Sequence, residues 1–244
     1  MNNRRKEILK ELGLTPIWRI KPNDQQYHAP SQMHSVKKKR NKSQKLAISI
    51  NQERCSEIRQ MNWSQLKTSV MHCTACPLSH TRAHTVFGIG DENADWLYVG
   101  EGPGEKEDAT GEPFVGQAGE LLDNMLAAIG LKRGYRVYIT NIVKCRPPNN
   151  KNPDLNEISQ CEPYLEKQIA LIKPKLIVAL GKTAAQSLLK CNENVSNLRG
   201  KLYEYSGIPL IVTYHPAYLL RVLSEKEKAW EDLCFAKATM QSLL

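Results

Sequence analysis

Residues 175–190 read KLIVALGKTAAQSLLK: an apolar run of strand length, a glycine, and then a segment whose apolar residues recur at helical i, i+3, i+4 spacing. Three further runs of the first kind stand at ADWLYVG (94–100), RVYITNIV (136–143) and IPLIVTYH (208–215), and AGELLDNMLAAIG and LNEISQCEPYLEKQIALI between them carry the helical spacing. Near-continuous apolar strands alternating with amphipathic helices are the pattern of a parallel sheet covered on both faces. The fold predicted is a three-layer α/β/α sandwich around a central four-stranded parallel sheet. Ligands of such sheets gather beyond the carboxyl ends of the strands. That rule places EGPGEKEDATGEPF, the Asn141–Cys145 segment, Gly181-Lys182 and His215-Pro216-Ala217-Tyr218 along one edge.

The formal net charge of +9 is unevenly distributed: residues 1–45 hold 12 Lys/Arg against 3 Asp/Glu, and the remainder holds 22 of each. A neutral body with a basic arm suits a polyanionic partner, because Lys and Arg contacts to phosphate release condensed counterions; a solvated tail is the plainer alternative. Residues 1–18 have the pattern of a short amphipathic helix stopped by Gly13 and Pro16, and the polar, aperiodic run from Arg19 to Gln44 reads as a linker. Residues 1–60 are therefore read as a basic, partly disordered N-terminal extension and 61–244 as the folded domain. No stretch reaches the roughly 18 apolar residues of a membrane span, and MNNRRKEILKELG lacks the apolar core of a secretory signal, so a soluble cytoplasmic protein is expected. Seven cysteines, an odd number in such a chain, argue against a disulfide framework and for thiolates held by metal.

MHCTACPLSHTR (71–82) supplies Cys73 and Cys76 at C-x-x-C spacing, after a helical pattern around MNWSQLKTSVMHC and before Pro77. The next cysteines are Cys145 and Cys161. Four thiolates suit Zn²⁺ or an iron–sulfur cluster, and spacing alone does not choose between them. GEGPGEKED is neither a dinucleotide-binding nor a Walker sequence, and a tight turn explains it as well as a phosphate cradle does. Asn141 follows a strand and precedes the basic, proline-rich KCRPPNNKNP; its amide offers a donor and an acceptor together, as a base edge requires, or else serves a turn. His215, held extended by Pro216 and followed by two leucines, is a donor at a strand end or a structural histidine before a helix.

Taken together, GEGPGEKEDATGEPFVGQAGELLD, YITNIVKCRPPNNKNP, CEPYL, VALGKTAA, LRGKLYEY and TYHPAYLLR resemble the family 4 uracil-DNA glycosylases, which contain an iron–sulfur cluster. The resemblance covers about residues 62–244. It implies a [4Fe-4S] cluster on Cys73, Cys76, Cys145 and Cys161, and hydrolysis of the N-glycosidic bond of deoxyuridine in DNA, with the nucleotide flipped into a pocket. It implies that Phe114 stacks on uracil, that Asn141 reads its polar edge, that the backbone of Gly102 meets uracil oxygens, and that neutral His215 donates to charge developing on the base. Glu101 and Glu107 are the candidates for activating water; Glu107 alternatively shapes the pocket against the thymine methyl. In HPAYLLR, Leu219 or Leu220 is expected to fill the gap left by the flipped base, with Arg221 near phosphate and Lys182, Arg199 and Lys201 on the DNA backbone. The N-terminal region is longer than compact members need, and a helix is expected to continue past LLR. Nothing like the KRRIH insertion of covalently bonding relatives is present, so simple turnover by a monomer on uracil-containing DNA is expected, the basic arm adding nonspecific contacts. A noncatalytic, metal-containing DNA-binding protein and a nucleotide-binding α/β enzyme are the competing readings.

Overall fold

The computed structural model describes residues 52–243, which belong to one compact unit. The short N-terminal helix, the linker and the basic arm lie outside the described residues. Strands β2 (Trp96–Gly100), β3 (Val137–Asn141) and β4 (Leu176–Leu180) are buried along their whole length, and β6 (Ile208–Thr213) is buried in its second half. Their uninterrupted apolar runs are explained by helices covering both faces of the sheet. All four pair in parallel, as the alternation of runs predicts: β3 and β4 flank β2, and β6 lies beyond β4. Two short antiparallel strands, β1 (Ile89–Gly90) and β5 (Leu202–Tyr205), close the edges and give the six-stranded order β1-β3-β2-β4-β6-β5. The central sheet is thus the expected four parallel strands, widened by edges that had not been anticipated. β1 is two residues long and β5 is half exposed, too little for an apolar pattern to form.

The helices bury the stripes their periodicity lays out. Residues 52–60 are helical and are called α1. Helix α2 (Trp63–Met71) is capped by Asn62, whose side chain accepts from Gln65 N while the Gln65 side chain accepts from Asn62 N. α3 (Glu105–Thr110) and α4 (Gln117–Ala128) follow, the latter burying Leu122, Met125 and Leu126. α5 (Leu155–Ile172) starts on a capping box of Asp154 and Glu157; α6 (Lys182–Leu189) and α7 (Val195–Leu198) lead to β5. α8 (Pro216–Arg221) is followed by a turn of 3₁₀ helix and then by α9 (Lys226–Ser242). The helix expected to run on past LLR is therefore broken at Val222, whose φ/ψ of −124° and 82° are not helical.

Residues 52–60 fall within the stretch expected to be an extension. In the structure Ile58 is buried in the main core, Arg54 donates to the Gln160 carbonyl at 2.9 Å, and Lys167 Nζ donates to the Arg59 carbonyl. The packed body therefore includes this helix. A single apolar side chain among polar ones was too weak a signal to place it. Among the described residues no helix is long and apolar enough to cross a membrane.

From β2 the chain passes to β3 on one side, and from β4 it passes to β6 on the other. The switch point of the sheet accordingly lies between the carboxyl ends of β2 and β4, where open α/β sheets place their ligands.

Candidate active site

At that switch point a cleft of about 430 Å³ is lined by Glu101, Gly102, Glu107, Phe114, Asn141, His215 and Arg221, among others. Seven residues singled out from three separate stretches of sequence thus meet at one edge. Asn141 ends β3 opposite Gly100 at the end of β2. Its side chain is only 2% exposed, and Oδ1 has no hydrogen-bond partner. An unpaired buried amide oxygen costs about 1–3 kcal/mol unless a ligand satisfies it. Gly100 makes the arrangement possible, since a Cβ there would overlap both Asn141 Oδ1 and the Phe114 ring.

Phe114 is buried and has a left-handed backbone, φ +56°, an unusual conformation for an aromatic residue. Arg133 holds it there: Nη1 and Nη2 donate to the carbonyls of Pro113 and Phe114, each at 2.9 Å, and Nε donates to Asp123. Nothing in LKRGYR distinguishes Arg133 from any basic loop residue, since its partners lie 10 to 20 residues upstream. The Phe114 ring lies alongside the His215 ring, with centroids 5.5 Å apart and planes 29° apart.

His215 is the N-cap of α8, and its Nδ1 accepts the Ala217 N–H at 3.1 Å. A neutral ring that accepts at Nδ1 carries its proton on Nε2. Burial, joined by the nearby Arg221, lowers the imidazole pKa to about 4, so the ring is neutral at pH 7. Gly181, at φ +87°, lets the chain after β4 pass close by; a Cβ there would stand 2.8 Å from His215 Cβ.

The two carboxylates have different surroundings. Glu107 Oε1 accepts the N–H groups of Val115 and Gly116 at 3.0 and 3.1 Å, and Oε2 accepts that of Gly104 at 3.1 Å. These three bonds tie the glycine-rich turn to the Phe114 loop. These three backbone bonds favour the alternative expectation for Glu107, that it shapes the pocket, over the expectation that it activates water. Glu101 is half-buried in the cleft, and its Oε2 accepts from the Thr183 hydroxyl at the start of α6.

Cys73, Cys76, Cys145 and Cys161 line one small cavity between α2, the loop after β3, and α5, although among the described residues no three His, Cys, Asp or Glu side chains are grouped to hold a single metal ion. The donor set fits a sulfur-ligated group. Arg82 Nη1 donates to Cys145 Sγ at 3.0 Å, the Lys144 N–H donates to Cys161 Sγ at 3.3 Å, and Arg54 Nη2 lies 3.9 Å from Cys73 Sγ. N–H donors aimed at sulfur favour the thiolate over the thiol. Without such a group, burial pushes the Cys161 thiol up to about 12 and raises those of Cys76 and Cys145.

A family model described as the uracil DNA glycosylase superfamily matches residues 87–234. Curated type-4 uracil-DNA glycosylases are similar over most of the chain. The protein of Pyrobaculum aerophilum is 40% identical, the match covering 71% of this chain and 92% of the relative. That of Sulfurisphaera tokodaii is 47% identical over 69% and 83%, and that of Archaeoglobus fulgidus 45% over 62% and 79%. The chain belongs to the uracil-DNA glycosylase superfamily, in its type-4 family.

The surroundings of this glycosylase cleft revise several of the DNA contacts expected from sequence. Leu219 is 1% exposed and packed in the core, whereas Leu220 is 39% exposed and free to reach outward. Arg199 is turned inward: it pairs with Asp232 at 3.1 Å and Glu231 at 2.8 Å and donates to the Lys228 carbonyl. Thr213 donates to the same Asp232, so Asp232 ties α9 to β6 while Arg199 ties the turn after α7 to α9. Lys201 donates to the Asn197 carbonyl, and Lys182 is exposed at the first turn of α6; neither lines the cleft. Asn150, Lys151 and Asn152 of the proline-rich loop do line it, and had been recognised only as part of a basic loop.

Proposed function

We propose that this chain hydrolyses the N-glycosidic bond of deoxyuridine in DNA, releasing uracil and leaving an abasic site. The observation that carries the reading is the buried, unpartnered Asn141 oxygen beside an aromatic face and a neutral histidine at one sheet edge. A flipped uracil offers a flat face for Phe114 and an alternating donor–acceptor edge for the Asn141 amide, which gains in the complex the partner it lacks in the free protein. Backbone N–H groups around Gly102 meet the remaining uracil oxygens.

Cleavage leaves negative charge on the base and cationic character on the sugar. His215 Nε2–H donates to the developing charge on the base, a preorganised donor of the kind worth about 3–4 kcal/mol. Because Nδ1 already accepts from Ala217, the ring donates in one orientation and need not reorganise. Glu101, steadied by Thr183, orients the attacking water, while Glu107 keeps the two loops in register. Leu220 enters the space left by the flipped nucleotide, and Arg221 and the Lys151 loop meet phosphates.

Cys73, Cys76, Cys145 and Cys161 would hold a [4Fe-4S] cluster, which would supply a structural cross-link among α2, the loop after β3 and α5. The chain acts as a monomer with simple turnover, the basic arm adding nonspecific attraction to DNA. Incubation with a uracil-containing oligonucleotide should yield free uracil by mass spectrometry and an alkali-labile site at the same position. A holoprotein that binds such DNA tightly and releases no base would establish the noncatalytic alternative instead.

A further inference from the structure

Lys144 is 1% exposed, and its ammonium donates to Thr140 Oγ1 at 2.6 Å and to the Asn141 carbonyl at 2.8 Å. Neither acceptor is charged. Among the described residues Lys144 forms no ion pair with a carboxylate. Burying an ammonium without a counter-charge costs several kcal/mol, and chains retain such a group only where something compensates it. Lys144 also lines the small cavity into which the four cysteines are gathered. Its own N–H donates to Cys161 Sγ, and Cys145 is the next residue.

The polar network continues away from the sulfurs. Thr140 Oγ1 donates to the Phe87 carbonyl at 3.0 Å, and Gln168 Nε2 donates to the same oxygen at 2.9 Å. Lys144 thus stands at the junction of two sites, with its backbone against the thiols and its ammonium on the carbonyl of the cleft residue whose amide has no partner.

We propose that Lys144 is the buried counter-charge of the four-thiolate site and that the same ammonium, held on the Asn141 carbonyl, fixes the base-reading amide, which makes it a positioning residue for the cleft. The inference rests on reading the four thiols as ligands of an iron–sulfur cluster. Four thiolates around such a cluster leave it net negative, and a cation sealed beside it stabilises the more reduced, more negative state.

The test uses the full chain carrying its cluster. Lys144→Met keeps the bulk and removes both charge and hydrogen bonds; Lys144→Gln removes the charge and keeps an N–H donor. Both variants should hold less iron per chain, and their clusters should have a midpoint potential more negative than the wild type by more than repeat error. Lys144→Met should also weaken binding of free uracil at least tenfold, and Lys144→Gln by less. Where Lys144→Met does not fold, the potential of Lys144→Gln decides. Iron content and potential unchanged in a folded variant would overturn the counter-charge. Uracil binding unchanged in folded Lys144→Met would overturn the positioning role. Wild-type chain that takes up no iron would instead overturn the reading of the thiol site on which the inference rests.

Discussion

Replacing Glu107 by glutamine separates a carboxylate that holds loops from one that handles water. In the wild type three backbone N–H groups, those of Gly104, Val115 and Gly116, converge on its two oxygens at 3.0–3.1 Å. In Glu107→Gln one of these oxygens becomes an NH₂ that faces an N–H donor, so at least one bond is lost outright and the others lose their charge assistance. A hydrogen bond to a charged group contributes about 1.5–3 kcal/mol, and with Glu107 half-buried a loss of about 2 kcal/mol is expected. For a domain of this size each kcal/mol moves Tm by about 2–4 °C, so melting should fall by about 4–8 °C. Excision measured in single turnover should slow about tenfold through the loosened Phe114 loop, with the shape of the pH–rate profile preserved. An unchanged melting temperature, together with a loss of about 10³-fold or more and an altered acidic limb, would refute the clamp and make Glu107 the base after all.

Asn141→Ala should reduce excision about 100-fold, about 2.7 kcal/mol of lost recognition, and leave the iron content unchanged; a fully active variant would remove its assigned role. The His215 ring should titrate near pH 4 by NMR, not near 6.5. Since the unfolded chain binds that proton at about 6.5 and the folded chain only at about 4, this group's share of stability is present above pH 6.5 and is lost as the pH falls towards 4. Activity between pH 5 and 8 should show no step from this ring, and a midpoint near 6.5 would contradict the buried, Nδ1-accepting geometry. Leu219→Ala should cost about 2–5 kcal/mol of stability with little specific effect on duplex substrates, because the side chain is in the core. Leu220→Ala should change stability by less than about 0.5 kcal/mol and slow excision from duplex more than from single strands; equal loss on both would remove the wedge role.

The sheet was legible in the sequence because strands buried on both faces must be apolar at every position, and WLYVG, VYITN and LIVAL are nearly so. The site was legible wherever a residue follows such a strand directly: Glu101, Asn141 and His215 are carried to the cleft by the sheet itself. What escaped depends on side-chain direction, which spacing does not encode. Leu219 and Leu220 are adjacent and chemically identical, yet the helical turn after Pro216 buries one and exposes the other. Arg199 looks like a free cation in LRGK until Asp232, 33 residues on, is brought beside it by α9. Glu107 and Arg133 act on backbone groups of distant loops, and the sequence carries no mark of the bonds they make.

Single-turnover excision with the cluster-loaded full chain decides whether this cleft removes uracil. The substrates are one oligonucleotide carrying U opposite G and its counterpart carrying T opposite G, with Asn141→Ala run alongside. Cleavage at U alone, free uracil in equal yield with abasic sites, and a rate about 100-fold lower in the variant are expected. Full cluster occupancy with U left intact, in both duplex and single-stranded form, would contradict uracil removal by this cleft.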